Sequence, residues 1–489
     1  MALSCASLPG YDQRNQLRDQ ERDMSIHLPS FLLILVAVAV ASVVFAPRAR
    51  SLDGFFRGTS DTGAAPGVWT LTLSQVTTWI FARSLLNAGI LGYFFGLPGA
   101  LAYTAYYGSF LTGWLIVDRL RFHHGVDNVQ GFLSERFGVA GAASYNVLLA
   151  LRLLTEVFAN LLVVGMVFST WGDGAGDLAI VAVAGITLVY SMTGGLRASL
   201  HTDVWQAAFL VVVIVLLLGL VLSSDGFSIS GLVAGTNQDT GPGWILLVVA
   251  LLQVLSYPLH DPVMMDRGFL ADRDTTRQSF LRAFAISALL ILAFGVIGVH
   301  TGRFAGDDGD FLTTLDRLLG GPAMFLVGLA LVLSAVSTMD STFSSVSKLM
   351  VVDSGLMRRT LANGRRAMAG FAVGGLLLVF FGTDDLYAAV AVSGTASLFL
   401  TPVIVFCIFL GRRVAGWSLL VNGVAAIGGA VLYFLEDSGY ITMLAALTGL
   451  EHTYSHLLVV TLGILVVGFS VFILGLQPER DARIGDLEG

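Results

Sequence analysis

Stretches of about twenty apolar residues recur from Phe31 to Leu476, with connections too short to hold a soluble domain between them. In a bilayer every backbone N–H and C=O must be paired, so spans of this length read as transmembrane helices. About thirteen can be placed, centred near Ala37, Ile80, Tyr107, Leu154, Ala184, Ile214, Ala250, Leu289, Leu333, Gly374, Ser397, Ala425 and Leu462. The expected fold is an all-α polytopic membrane protein with one transmembrane domain over 28–476, a disordered tail over 1–27 and a C-terminal tail over 477–489. Met24, just before the first span, is an alternative start. Of 489 residues only 12% are charged, and the mean hydropathy is +0.79, which excludes an ordinary soluble protein. Cys5 and Cys407 are the two cysteines, too few and too far apart for a disulfide framework or a thiolate metal site. The net charge of −7 and the lack of a basic cluster argue against nucleic acid as a partner.

The basic residues alternate with the spans. Arg48, Arg50 and Arg57 follow the first, Arg119 and Arg121 the third, Arg197 the fifth, and Arg267, Arg273 and Arg277 the seventh. Lys348 and Arg358 follow the ninth, and Arg412 and Arg413 the eleventh; Arg303, after the eighth, is the exception. Short cytoplasmic loops retain Lys and Arg, so the N-terminus is expected outside the plasma membrane and the C-terminus in the cytoplasm.

Two spans cannot be continuous helices facing lipid. In the seventh, Pro258 and Pro262 stand four residues apart with Tyr257, His260 and Asp261 among them, and two prolines so placed remove two backbone donors. The second carries Gln75, Thr77, Thr78, Arg83 and Asn87, too much polarity for a lipid face. The two lie five spans apart and cross in opposite directions, which predicts inverted repeats over about 69–224 and 243–410, each opening with a broken helix. At such breaks, freed carbonyls and helix ends can hold an ion and a solute.

Polarity is also concentrated in Tyr190–Gln206, YSMTGGLRASLHTDVWQ. Gly194 and Gly195 allow a tight turn there, and Asp203 opens the next apolar run, where an acid needs water, protein or a cation. A simpler role for Asp203 is to cap a helix beginning near Val204. The pattern Tyr190, Gly194, Gly195, Ala198, Thr202, Asp203, Gln206 resembles the signature of the sodium/solute symporter family. Span nine adds a second resemblance in Ser337, Thr338, Asp340, Ser341 and Asp353.

The resemblance implies a five-plus-five inverted-repeat core with two discontinuous helices, sodium as the coupling ion and no other cofactor. It places sodium on the hydroxyls of Ser337 and Thr338 opposite carbonyls near Thr77 and Ile80. A second sodium, held in some relatives, would involve Asp203, Ser341 and Asp340. Hard cations take several oxygen ligands, in keeping with these groups. Alternatively, Ser337 and Thr338 bond back to their own helix. The chain departs from the family where a Gln-Arg pair usually closes the broken seventh span, since Asp266 and Arg267 stand there. SQVTTWIFARSLLNA is similar to the urea-type branch.

Gln75, Arg83, Asn87, Tyr257 and Asp261 are the candidate solute residues. Arg83 could clamp a carboxylate or pair permanently with Glu156, whose neighbour Arg152 lies at i−4. Asp261 could take an ammonium or cap the half-helix that Pro262 starts. His260, His123 and His124 read as interfacial. The expected function is sodium-coupled import of a small polar organic solute by alternating access, with no enzymatic activity. The alternative is a membrane sensor of the same fold. The sequence leaves the oligomeric state open.

Overall fold

The computed structural model describes residues 28–169, 171–224, 226–234, 239–306, 309–382 and 393–478, so the expected N-terminal tail and residues 479–489 lie outside the described residues. Helix α1 (Leu28–Phe45) leads through the short α2 (Leu52–Arg57) to α3 (Val68–Trp79), α4 (Ala82–Ala105) and α5 (Ser109–Asp118). Helices α6 (Val129–Ser169), α7 (Ala175–Gly194) and α8 (Leu196–Leu222) follow. Next come α9 (Gly241–Gln253), α10 (Tyr257–His260), α11 (Pro262–Gly268), α12 (Arg273–Gly302), α13 (Phe311–Leu319) and α14 (Gly321–Lys348). After α15 (Leu361–Phe381) and the apolar stretch Gly394–Phe409, α16 (Gly416–Asp437) and α17 (Thr453–Leu474) complete the bundle.

Among the described residues nine helices are long and apolar enough to cross a membrane, and Gly241–Gln253 and Gly394–Phe409 are shorter apolar helices. The protein is a multi-pass integral membrane protein. The 42-residue stretch Ala82–His123 is about twice what a bilayer needs. Gly96 accounts for it: its φ of 63° and ψ of −151° are not helical. A Cβ on Gly99 would lie 2.1 Å from the Leu91 carbonyl oxygen, although eight residues of straight helix span about 12 Å. The chain therefore doubles back at Gly96, and the stretch holds the end of the second expected span and all of the third.

Apolar residues divide each outer helix into a lipid face and a core face. On α8, Val212, Val215 and Leu216 are exposed while Val213, Ile214 and Leu217 are buried. Lipid tails give two helices no hydrophobic reason to associate, so close backbone contact must do it. Helices α4 and α12 meet in this way: a Cβ on Gly92 would stand 2.2 Å from the Gly295 oxygen.

Both expected breaks are present. Helix α3 stops at Trp79, Ile80 takes φ −89° and ψ 69°, Phe81 is extended, and α4 starts at Ala82. In the seventh span α9 ends at Gln253, and Asp261 (φ −108°, ψ 98°) separates α10 from α11. Pro262 occupies the first turn of α11, where a missing N–H costs nothing. Asp261 caps that helix by accepting from the Met264 amide at 2.9 Å.

Candidate ion and solute site

Helix α14 passes both breaks with one polar face. Ser334, Ser337, Thr338, Ser341, Ser345 and Lys348 recur at three- and four-residue steps, which puts them on a single stripe. Ser334 donates to the Ile80 carbonyl and Thr338 Oγ1 to the Thr77 carbonyl at 3.4 Å, so this edge of the stripe faces the end of α3. The other edge faces α8: Ser337 Oγ donates to Asp203 Oδ1 at 3.0 Å, and Ser341 Oγ to Asp203 Oδ2 at 3.4 Å. From α3, Ser74 Oγ adds a 2.5 Å bond to the same carboxylate. All these side chains except Lys348 are buried.

The two sequence motifs are each other's partners. Tyr190 OH and Thr202 Oγ1 each donate to Asp340 Oδ2 at 2.8 Å. Ser199 Oγ and Ser341 Oγ lie 2.8 Å apart. A turn makes this docking possible: α7 ends at Gly194, Gly195 has φ 56°, and α8 begins at Leu196. A Cβ at Gly194 would meet the Pro47 oxygen at 2.1 Å, so the turn rests on the segment after α1.

Arg267 of α11 reaches into the same cluster and is wholly buried. Its Nη2 donates to Ser341 Oγ at 2.7 Å and Ser199 Oγ at 3.3 Å, and contacts Asp203 Oδ2 at 3.5 Å. Nε donates to Ser74 Oγ at 3.0 Å and Nη1 to the Val263 carbonyl at 3.1 Å.

A second buried arginine stands at the Asp261 break. Arg152 Nη1 pairs with Glu156 Oε2 at 3.1 Å and Arg152 Nη2 with Asp261 Oδ2 at 3.4 Å. Its guanidinium lies over the Phe81 ring, 5.9 Å from the centroid. Tyr257 meets Trp79 edge-on at 5.3 Å and His260 at 5.9 Å. The Gln75 amide, Trp79 Nε1, Arg152 Nε, Glu156 Oε1 and both His260 nitrogens are buried without a hydrogen-bond partner in the protein. Buried polar groups are nearly always bonded, so this concentration of unpartnered atoms sets the region apart from the Arg267 cluster.

The family model described as "Sodium:solute symporter family" matches residues 62–299, from before α3 through most of α12. Sodium/glucose cotransporter 2 of Rattus norvegicus is 27% identical over 208 residues, covering 40% of this chain and 28% of that protein. Sodium/glucose cotransporter 1 of Sus scrofa is 31% identical over 160 residues, 30% of this chain and 24% of that protein. The chain is similar to the sodium:solute symporter family over just under half of its length. Its alignments span about a quarter of the length of these two curated relatives, and the likeness is a divergent one. The solved structure of a Na+-coupled sialic acid symporter in a substrate-bound outward-open state matches with a TM-score of 0.69 at 15% identity, covering 91% of this chain and 97% of that one. A nucleobase-cation-symport-1 family transporter, closed with bromovinylhydantoin bound, matches with a TM-score of 0.54 at 15% identity over 86% and 94% of the two chains. These two likenesses establish the fold.

Several expectations from the sequence need correction. Asp203 does not cap a helix near Val204: α8 starts at Leu196, and the acid sits two turns inside it, fully buried. Buried partners satisfy Ser199, Thr202 and Asp203, so the helix extends past the apolar run. The Ile80 carbonyl takes Ser334 rather than Ser337, because Ser334 lies one turn before Thr338 on the same face. Neither Ser337 nor Thr338 is limited to bonding its own helix, since both reach other elements. Glu156 finds its partner in Arg152, while Arg83 lies half-buried in the first turn of α4. Asp261 both caps α11 and pairs with Arg152. His260 is fully buried, not interfacial.

The substitution of Asp266 for the family's usual glutamine also has a partner. Lys348 Nζ lies 2.5 Å from Asp266 Oδ1 and 3.1 Å from Asp353 Oδ2, and Ser345 Oγ donates to Asp266 Oδ2 at 2.6 Å. Sequence reasoning missed Ser334, Ser345 and Lys348 as site residues, although their helical spacing from Ser337 and Ser341 was available to find them.

Proposed function

We propose that this protein is a sodium-coupled symporter that imports a small polar organic solute by alternating access. The observation that carries the reading is the facing of the α14 hydroxyls and the freed carbonyls of the α3 break, Thr338 on Thr77 and Ser334 on Ile80. A dehydrated sodium needs several oxygens at once, and this arrangement supplies neutral ones beside a single carboxylate, Asp203, through Ser337. Such a shell suits an ion that must be released in each cycle. The likeness to sodium/glucose cotransporters and to a Na+-coupled sialic acid symporter supports sodium as the ion.

Solute would bind beside the Arg152–Glu156–Asp261 cluster, where Gln75, Trp79 and His260 offer unused donors and acceptors and Tyr257 and Trp79 an aromatic wall. Arg83 and Asn87, further along α4, would complete the path. Segments 69–224 and 243–410 would act as the inverted halves, moving about the two breaks, with the basic loops on the cytoplasmic side of the plasma membrane. The test is uptake of a labelled panel of sugars, amino acids, amides and carboxylates into proteoliposomes, with an inward sodium gradient or with potassium replacing sodium. Accumulation that needs the sodium gradient is expected; uptake indifferent to sodium across the panel would overturn the reading.

A further inference from the structure

Arg267 offers more than structural support. A guanidinium at membrane depth is costly and persists where its charge has a use. Here all three nitrogens are bonded, and four of their five oxygen partners come from side chains on three other helices: Ser74 of α3, Ser199 and Asp203 of α8, and Ser341 of α14. An acid and three hydroxyls converging on one point make an oxygen shell of the kind a weakly held monovalent cation takes. Asp203 and Ser341 are also the residues to which the sequence resemblance assigns a second sodium. The shell already has its cation, supplied by the chain itself.

We propose that Arg267 is the resident cation of this pocket, that it excludes sodium from it, and that the carrier therefore binds a single sodium, at the Ser334–Thr338 edge of α14. The inference rests on the sodium-coupled reading above. The charge count supports it. The cluster contains two acids, Asp203 and Asp340, and one base, Arg267; Asp340 is held by the hydroxyls of Tyr190, Thr202 and Ser341. One positive charge is lacking, and one sodium beside Ser337 supplies it. A second sodium among Ser199, Ser341 and Asp203 would stand within bonding distance of the guanidinium and would leave the cluster with a net positive charge in a low-dielectric interior. Arg267 is also held in place from behind, because the adjacent Asp266 is fixed by Lys348 and Ser345.

Equilibrium binding of radioactive sodium to the purified protein in potassium-containing detergent buffer tests this without knowledge of the solute. Wild type is expected to bind one sodium per chain with a Hill coefficient near one. Arg267→Gln opens the pocket and is expected to bind two, and Arg267→Lys, which keeps a charge there, should remain at one. Adding Ser337→Ala and Thr338→Ala to Arg267→Gln should weaken the original site roughly tenfold and keep the new one. Two sodium ions on wild type, or one on Arg267→Gln, would overturn the inference and leave the symporter reading standing. No saturable sodium binding to wild type would overturn both. Should Arg267→Gln fail to survive purification, the wild-type count decides alone.

Discussion

The two buried arginines share a chemistry and differ in how it is used. Arg267 has a partner on every nitrogen and sits among hydroxyls that bond to each other and to Asp203. Arg152 is pulled between Glu156 and Asp261, while its own Nε, Glu156 Oε1 and the neighbouring Gln75, Trp79 and His260 keep polar atoms unused. A saturated cluster is finished when the chain folds; an unsaturated one is completed by something that arrives. On the proposed function, the difference would separate a fixed part of the ion machinery from the surface that receives the solute.

Stability measurements can break this distinction. Arg152→Gln strands two buried acids at once and should cost about 3–5 kcal/mol, read as a lower melting temperature in detergent, with sodium unable to restore it. Adding Glu156→Gln should recover much of the loss; no recovery would mean that Arg152 acts mainly through Asp261. Arg267→Gln strands Asp203 alone, and in potassium its loss should be smaller, roughly 3 kcal/mol. Sodium should restore much of that, because a mobile cation can enter the vacated shell. A variant equally unstable in sodium and potassium would show that the pocket does not accept the ion.

Smaller effects sharpen the comparison. Ser337→Ala with Thr338→Ala should raise the sodium concentration for half-maximal binding roughly tenfold, equivalent to about 1.4 kcal/mol, by removing two oxygens from the shell. An unchanged sodium requirement would place the ion elsewhere. The weakest effect belongs to Asp61, which bonds Arg197 at the surface, where the guanidinium holds its carboxyl below the usual carboxylate range. Because the folded pKa is lowered, the contribution is present above the unfolded value and is lost as pH falls through the folded one. Asp61→Asn should thus match wild type in acid and be slightly less stable near neutrality. A difference confined to acid would reverse that sign.

Much of the architecture could be read from local pattern. Two prolines in span seven, a glycine pair before Asp203 and hydroxyls clustered in span nine each act on the backbone or helix face where they stand, and the breaks, the turn and the α14 stripe lie where these residues put them. What escaped depended on partners distant in the chain. Nothing near Arg267 indicates that it reaches Ser74 or Ser341, and the depth of Asp203 within α8 follows from hydroxyls on α3 and α14. The pairing of Glu156 with Arg152 was visible as an i,i+4 spacing, but the draw of Arg83, a residue suited to binding substrate, competed with it.

The stripe on α14 has a further property, that of a ruler with evenly spaced marks. Shifted along its axis by one turn, about 5.4 Å, Ser334 would stand close to where Thr338 was, Ser337 where Ser341 was, and Ser341 where Ser345 was. The partners of Thr338, Ser341 and Ser345 would then meet hydroxyl in place of hydroxyl, whereas Val336 would come to where Asp340 was and leave Tyr190 and Thr202 without their acceptor. The hydroxyls alone would tolerate such a step; the carboxylate of Asp340, held by Tyr190 and Thr202, and the ammonium of Lys348, held by Asp266, are what fix the register.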